Sequence, residues 1–163
     1  MRRSKNICVI AYAAARLFGD ASVGFGDTVV AFDCSQLEVQ KAVDSAKSGD
    51  IVRLPEGSAT WSSRVHVSDK EVHVVGAGIG RTSITYDMPV SFGNACFWFS
   101  SSASTACSIS GITFVGSSDA QYGCVCISGA WEGFRVYNCH FDNILRRGLA
   151  VRGRAIGLID SCT

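Results

Sequence analysis

From Asp50 onward the chain alternates short apolar runs with glycine, serine and aspartate. Runs of that length, rich in β-branched and aromatic residues and bounded by turn formers, predict strands. They fall at residues 51–54, 64–67, 72–75, 83–86, 96–99, 108–114, 124–127, 134–141 and 149–152. One earlier segment has a different period. Leu37, Val39, Ala42, Val43 and Ala46 form an approximate helical stripe, and Ser35-Gln36-Leu37-Glu38 is a capping box in which the serine hydroxyl accepts from a helical N–H while Glu38 reaches back. With Gly49 as the stop, the spacing predicts one amphipathic helix over residues 36–47.

Regular short strands fit a sandwich, a barrel or a solenoid, and internal repetition separates them. Three segments align: SISGITF (108–114), RVYNCHF (135–141) and LIDSCT (158–163). Ile109, Val136 and Ile159 share the second place, Ile112, Cys139 and Cys162 the fifth, and Phe114 and Phe141 the seventh. The second-place residues are 27 (109 to 136) and 23 (136 to 159) positions apart, about one coil of a parallel β-helix. GCVCISG (123–129) and GLAVRGR (148–154) repeat at 25 residues (123 to 148). A separation of three between inward residues breaks the alternation of a flat strand. A left-handed corner residue restores it, and Gly111 and Asn138, the types that tolerate positive φ best, stand at that corner. Ser161 takes the third corner. The fold class read from this register is all-β, a parallel β-helix (solenoid) with a short N-terminal capping α-helix.

The bulk numbers agree with one domain. The 163 residues hold 17 glycines and 2 prolines, and a formal charge of +1 from 15 basic and 14 acidic residues gives no field to attract nucleic acid. Arg2, Arg3 and Lys5 precede an apolar run, residues 7–15, ending in Ala13, Ala14 and Ala15, which reads as a secretory signal; residues 1–33 are expected to be signal peptide and leader, and residues 34–163 the solenoid. The nine-residue run is too short for a membrane span. Of eight cysteines, Cys8 lies in the leader, and Cys107, Cys124, Cys126, Cys139 and Cys162 fall mostly at apolar strand positions, where a free thiol acts as a small hydrophobe. One or two disulfides stay open.

VVGAGIGRTSI (74–84) imitates a dinucleotide fingerprint, but its glycines are spaced G-x-G-x-G, and Thr82 to Tyr86 favour strand where the fingerprint needs a helix. No nucleotide is expected. VQKAVDSAKSGDIVRLPEGSATW followed by VHVVGAGIGRTSITYD instead resembles the opening of the pectin lyase-like, right-handed parallel β-helix proteins. In that superfamily a short helix caps the solenoid and the V-GAG stretch ends a strand. The resemblance implies that Gly76, Gly78 and Gly80 form a tight corner between strands. It covers residues 34–163 and is loose for function, because the fold serves lyases, hydrolases and non-catalytic surface proteins. GLIDSCT matches the family's WIDHC stretch only at Ile159, Asp160 and Cys162, too little to carry a role across.

Lyases of the superfamily use Ca²⁺ held by several carboxylates and an arginine or lysine base, so the resemblance implies calcium in the full-length protein if it is a lyase. In this chain the outward column beside the repeat is Ser110, Tyr137 and Asp160, and the next is Thr113, His140 and Thr163. Arg135, Asp142, Arg146, Arg147 and Arg152 lie nearby in sequence. The candidate substrate-binding residues are Arg135, Tyr137, His140, Asp142 and Asp160, with Tyr137 placed to stack on a pyranose ring; no catalytic residue is assigned. Single carboxylates such as Asp142 and Asp160 make no calcium site, and Cys124-Val125-Cys126 has the wrong spacing for zinc, so no cofactor or metal is expected in these residues. Outward positions of any solenoid are polar, so polarity alone carries no function. The chain stops inside the third repeat without a capping element, and the expectation is that further coils of its own chain complete it. The function expected is an exported protein acting on acidic polysaccharides, lyase-like or glycoside hydrolase-like. The alternative is a non-catalytic carbohydrate-binding or tail-spike-type adhesin.

Overall fold

A computed structural model of the chain describes residues 26–89, 94–117 and 123–163. In chain order its elements are β1 (Thr28–Val30), α1 (Gln36–Ser45), β2 (Asp50–Arg53), β3 (Gly57–Trp61), β4 (Val65–Ser68), β5 (Val72–Val75), β6 (Thr82–Tyr86), β7 (Phe97–Ser110), β8 (Thr113–Val115), β9 (Val125–Tyr137), β10 (His140–Asp142) and β11 (Leu149–Asp160). The pairings among them are parallel. The larger sheet runs β1-β2-β5-β7-β9-β11 with β4 also on β7, and the smaller runs β10-β8-β6-β3. Chain passing repeatedly from one parallel sheet to the other is a β-solenoid, here of about five turns.

The repeat is the register. Val52, Val74, Ile109, Val136 and Ile159 are successive partners across the larger sheet, and the first four are fully buried. Side chains of that size each gain about 1.5–3 kcal/mol on leaving water, so the ladder accounts for much of the cohesion between coils. The wider part of the interior is aromatic. Phe97 lies 5.1 Å from Trp61 and 6.3 Å from Phe114, and Phe114 stacks on Phe141 of the next coil at 5.5 Å. Gly111, Asn138 and Ser161 hold the corner with φ of 69°, 50° and 51°, as the inward spacing of three requires. The stretch from Gly76 to Gly80 turns the chain between β5 and β6, the corner that the resemblance implied.

Helix α1 closes one end. Ser35 caps it by accepting from Glu38 N at 3.4 Å, but Glu38 pairs with Lys41 at 2.6 Å instead of reaching back. Val39, Ala42 and Val43 face the core. Gln36 Nε2 donates to Arg64 O, while Gln40 both donates to His66 O and accepts from His66 N, so two side chains satisfy an edge of β4. Lys70 Nζ donates to the helix's last carbonyls, those of Val43 and Ala46.

Several expectations change. The helix ends at Ser45, before Gly49, with Ala46 as its extended C-cap. The strand expected at 96–99 and the first part of that at 108–114 are one element, β7, because the ladder continues with bulges across Ser101 to Cys107. The stretches 124–127 and 134–137 merge likewise into β9, and β11 continues past residue 152 to Asp160. β3 was not anticipated, since Gly57, Ser58 and Ala59 are poor strand formers. β1 pairs with β2, so the folded unit starts ahead of the boundary drawn at residue 34. The signal-like run at residues 7–15 lies outside the described residues. The seven described cysteines are free thiols, all buried except the half-buried Cys162.

Candidate functional site

The outer face of the larger sheet carries two columns of mixed polar and apolar side chains, set by the same register that fixes the core. One column runs Ile51, His73, Ser108, Arg135 and Leu158; the other runs Arg53, Val75, Ser110, Tyr137 and Asp160. Alternation along β5, β7, β9 and β11 turns both outward.

Arg135, Tyr137 and Asp160 come together. Arg135 Nη2 donates to Asp160 Oδ2 at 2.7 Å, and its guanidinium carbon lies 4.3 Å from the centre of the Tyr137 ring. The hydrogen bond to Asp160 raises the Arg135 pKa further, so the cation is permanent at any working pH. Asp160 Oδ1 is enclosed and has no hydrogen-bond partner among the described residues. An enclosed acceptor of this kind gains from a donor that swings into reach.

His140 and Asp142 lie on β10, past the left-handed corner at Asn138 and therefore on the smaller sheet. His140 Nδ1 is 2.8 Å from Thr163 Oγ1, continuing the column Thr113, His140, Thr163. Asp142 is exposed. Three of the five candidate residues thus make one cluster, and two belong to the neighbouring face. Cys139 is fully buried beside the outward His140, as alternation requires.

The register also adds groups that the sequence reading passed over. Ser108 Oγ lies 3.0 Å from His73 Nδ1, and His73 Nε2 lies 3.4 Å from Glu71 Oε1. The Glu71 backbone is fixed on both sides, its N–H donating to Ser48 Oγ and its carbonyl accepting from Gly49 N. On the other arm of the same strand, His66 Nε2 lies 2.7 Å from Ser100 Oγ, and Arg64 sits 5.3 Å from the ring centre of Trp98. Burial, then the nearby Arg64, push the His66 imidazole below its ordinary pKa, with Asp69 opposing.

No group of three or more His, Cys, Asp or Glu side chains comes within metal-binding reach among the described residues. Burial pushes the Cys107 and Cys139 thiols up to about 12, which leaves them without thiolate character. No family model, curated protein or solved structure matches the chain.

Proposed function

We propose that this protein is an extracellular glycan-binding solenoid of the pectin lyase-like kind, engaging a polysaccharide along the outer face of its larger sheet. The observation that carries this reading is the cluster of Arg135, Tyr137 and Asp160: a fixed guanidinium lying on an aromatic ring, with a carboxylate that has one oxygen engaged and the other without a donor. Sugars suit the exposed part of this cluster. Their hydroxyls accept from the Arg135 guanidinium, and the apolar face of a pyranose covers the flat aromatic and guanidinium surface. A uronate carboxylate forms the stronger, charge-assisted pair with Arg135. Coils repeat every ~4.8 Å, comparable to one sugar unit, so successive sugars lying along the solenoid axis each face a different coil. Because the cluster is held by its own contacts before any ligand arrives, little side-chain entropy is lost on binding.

Affinity electrophoresis through gels containing polygalacturonate, alginate or a neutral β-glucan tests the reading. Retardation is expected in the acidic gels, and the Tyr137→Ala and Arg135→Ala variants should each bind about tenfold more weakly, a loss of about 1.4 kcal/mol. Free migration of the wild-type chain in all three gels, or retardation of both variants as strong as that of the wild type, overturns it.

A further inference from the structure

We propose that Ser108, His73 and Glu71 form a nucleophilic relay that hydrolyses carboxylic esters, acyl or alkyl, carried by the bound glycan. The choice of a glycan ester as substrate rests on the binding reading above; the relay itself rests on geometry.

An activated serine requires a base within hydrogen-bond reach and a third group that orients the base. Ser108 Oγ and His73 Nδ1 are 3.0 Å apart, and Glu71 Oε1 stands 3.4 Å from the other ring nitrogen. A carboxylate on that side holds the imidazole proton at Nε2 and leaves the Nδ1 lone pair facing the serine hydroxyl. Two stretches of chain, distant in sequence, build this line. Glu71 comes from the turn before β5, His73 from β5 and Ser108 from β7, one coil further on. All three face solvent, with the His73 and Glu71 side chains 34% and 41% exposed, so a polymer reaches them without any opening of the fold. On the far side of Ser108 from His73, its register partner is Arg135, a permanent cation one coil away. Its charge is of the sign that stabilises a tetrahedral oxyanion.

In the reaction, Ser108 Oγ attacks the ester carbonyl carbon while His73 Nδ1 takes the hydroxyl proton. The tetrahedral intermediate expels the alcohol, which leaves with the proton returned by His73, and an acyl group stays on Ser108. Water then attacks the acyl carbon, again giving its proton to His73. The acid departs, and Ser108 recovers its proton. No oxidant, metal or co-reactant other than water enters.

The protein contains its own control. His66 and Ser100 make a shorter contact, 2.7 Å, on the same sheet and between the same two coils, but among the described residues no ion pair joins His66 to a carboxylate. Asp69, the acid whose charge acts on His66, is occupied by the N–H and hydroxyl of Ser102, both at 2.8 Å. If proximity of serine to histidine were enough, both serines would react. If the relay is required, only Ser108 does.

The test treats the full chain with a fluorophosphonate probe, maps the labelled peptide by mass spectrometry, and measures p-nitrophenyl acetate hydrolysis. Labelling is expected at Ser108 alone. Ser108→Ala and His73→Ala should each lower hydrolysis about 100-fold, while Ser100→Ala keeps the wild-type rate. Glu71→Gln, a positioning change, should lower kcat about tenfold with KM unchanged. Circular dichroism melts matching the wild type show that each variant is folded. Absence of label, or equal label at Ser100 and Ser108, overturns the relay. Neither readout involves a polysaccharide, so failure here leaves the gel-retardation result standing, and failure of retardation leaves the relay standing.

Discussion

The inward and outward columns of the same strands obey different rules. On β7 and β9, Ile109 and Val136 are fully buried and interchangeable in kind, while the flanking Ser108 and Arg135, and Ser110 and Tyr137, differ in size, charge and chemistry from one coil to the next. The interior asks each coil for the same shape because the coil above must rest on it. The exterior makes no such demand, admitting Ile51, Val75 and Leu158 beside charged and hydroxyl groups, so its particular groups are free to serve another purpose. Stability and recognition are thereby placed on opposite sides of a single backbone, and substitutions should separate them.

The largest separation is expected between Phe97→Ala and Arg135→Ala. Phe97 is fully buried among Trp61, Phe99 and Phe114, and its removal leaves a cavity that neighbouring coils cannot refill without shifting register. The expected loss is about 3–5 kcal/mol. Arg135 is half exposed and its ion pair is solvated, so its removal should cost far less. Urea denaturation of the two variants measures both. Comparable losses would erase the distinction between the two sides.

A second contrast concerns backbone contact. At the bend of the larger sheet Gly129 has φ of +102°, and a Cβ there would lie 1.9 Å from the carbonyl oxygen of Ser101 on the adjacent coil. Gly129→Ala therefore combines strain with a clash against backbone, and about 3 kcal/mol of destabilisation is expected. A denaturation midpoint within error of the wild type would show that neighbouring coils are not packed at this distance.

These bends also mark where the sequence misleads. Gly129, Gly133 and Gly153 read as strand breakers, yet the inter-coil ladder runs through them with bulges, and β9 and β11 continue on both sides. The Arg135, Tyr137 and Asp160 cluster was legible because its residues sit one place from the repeated apolar position, where a period of 23 to 27 residues predicts stacking. Glu71, His73 and Ser108 were not. Val74 and Ile109 are partners in the same ladder, but 35 positions separate them (74 to 109), and the extra residues, most of them in the Gly76 to Gly80 corner between β5 and β6, hide the register from any search at constant period. The chemistry of His140 and Asp142 was visible as residue types, but the corner at Asn138 sends them to another face.

Buried thiols tie the interior to pH. Burial holds Cys107 and Cys139 up to about 12, whereas in the unfolded chain a thiol ionises near its ordinary value of 9.0. Above pH 9 the unfolded state releases protons that the folded state retains, so stability must fall as pH rises, and the fall ends only as pH passes the folded values near 12. By pH 10 the loss is about 1 kcal/mol for each thiol. Urea midpoints at pH 8, 9 and 10 should decline more steeply for the wild type than for Cys107→Ala. Parallel declines would mean that Cys107 is already accessible to hydroxide in the folded state.

The smallest effect is expected at the corner, where inside and outside meet. Gly111, Asn138 and Ser161 occupy equivalent places with φ of 69°, 50° and 51°. Glycine and asparagine adopt this conformation readily, whereas serine does so at a cost of about 1 kcal/mol. Ser161→Asn should recover part of it without adding the unfolded-state entropy that glycine brings, raising stability by about 0.5–1 kcal/mol and Tm by about 2–4 °C. Asn138→Ala should shift both quantities the other way by a similar amount. The sign is the useful part of the measurement: the cost belongs to the backbone conformation alone, because Ser161 is exposed and contributes nothing to the core. If Ser161→Asn left Tm unchanged while Asn138→Ala lowered it, the third corner would be loose in solution, and the regular stacking of corners would end at the coil of Asn138.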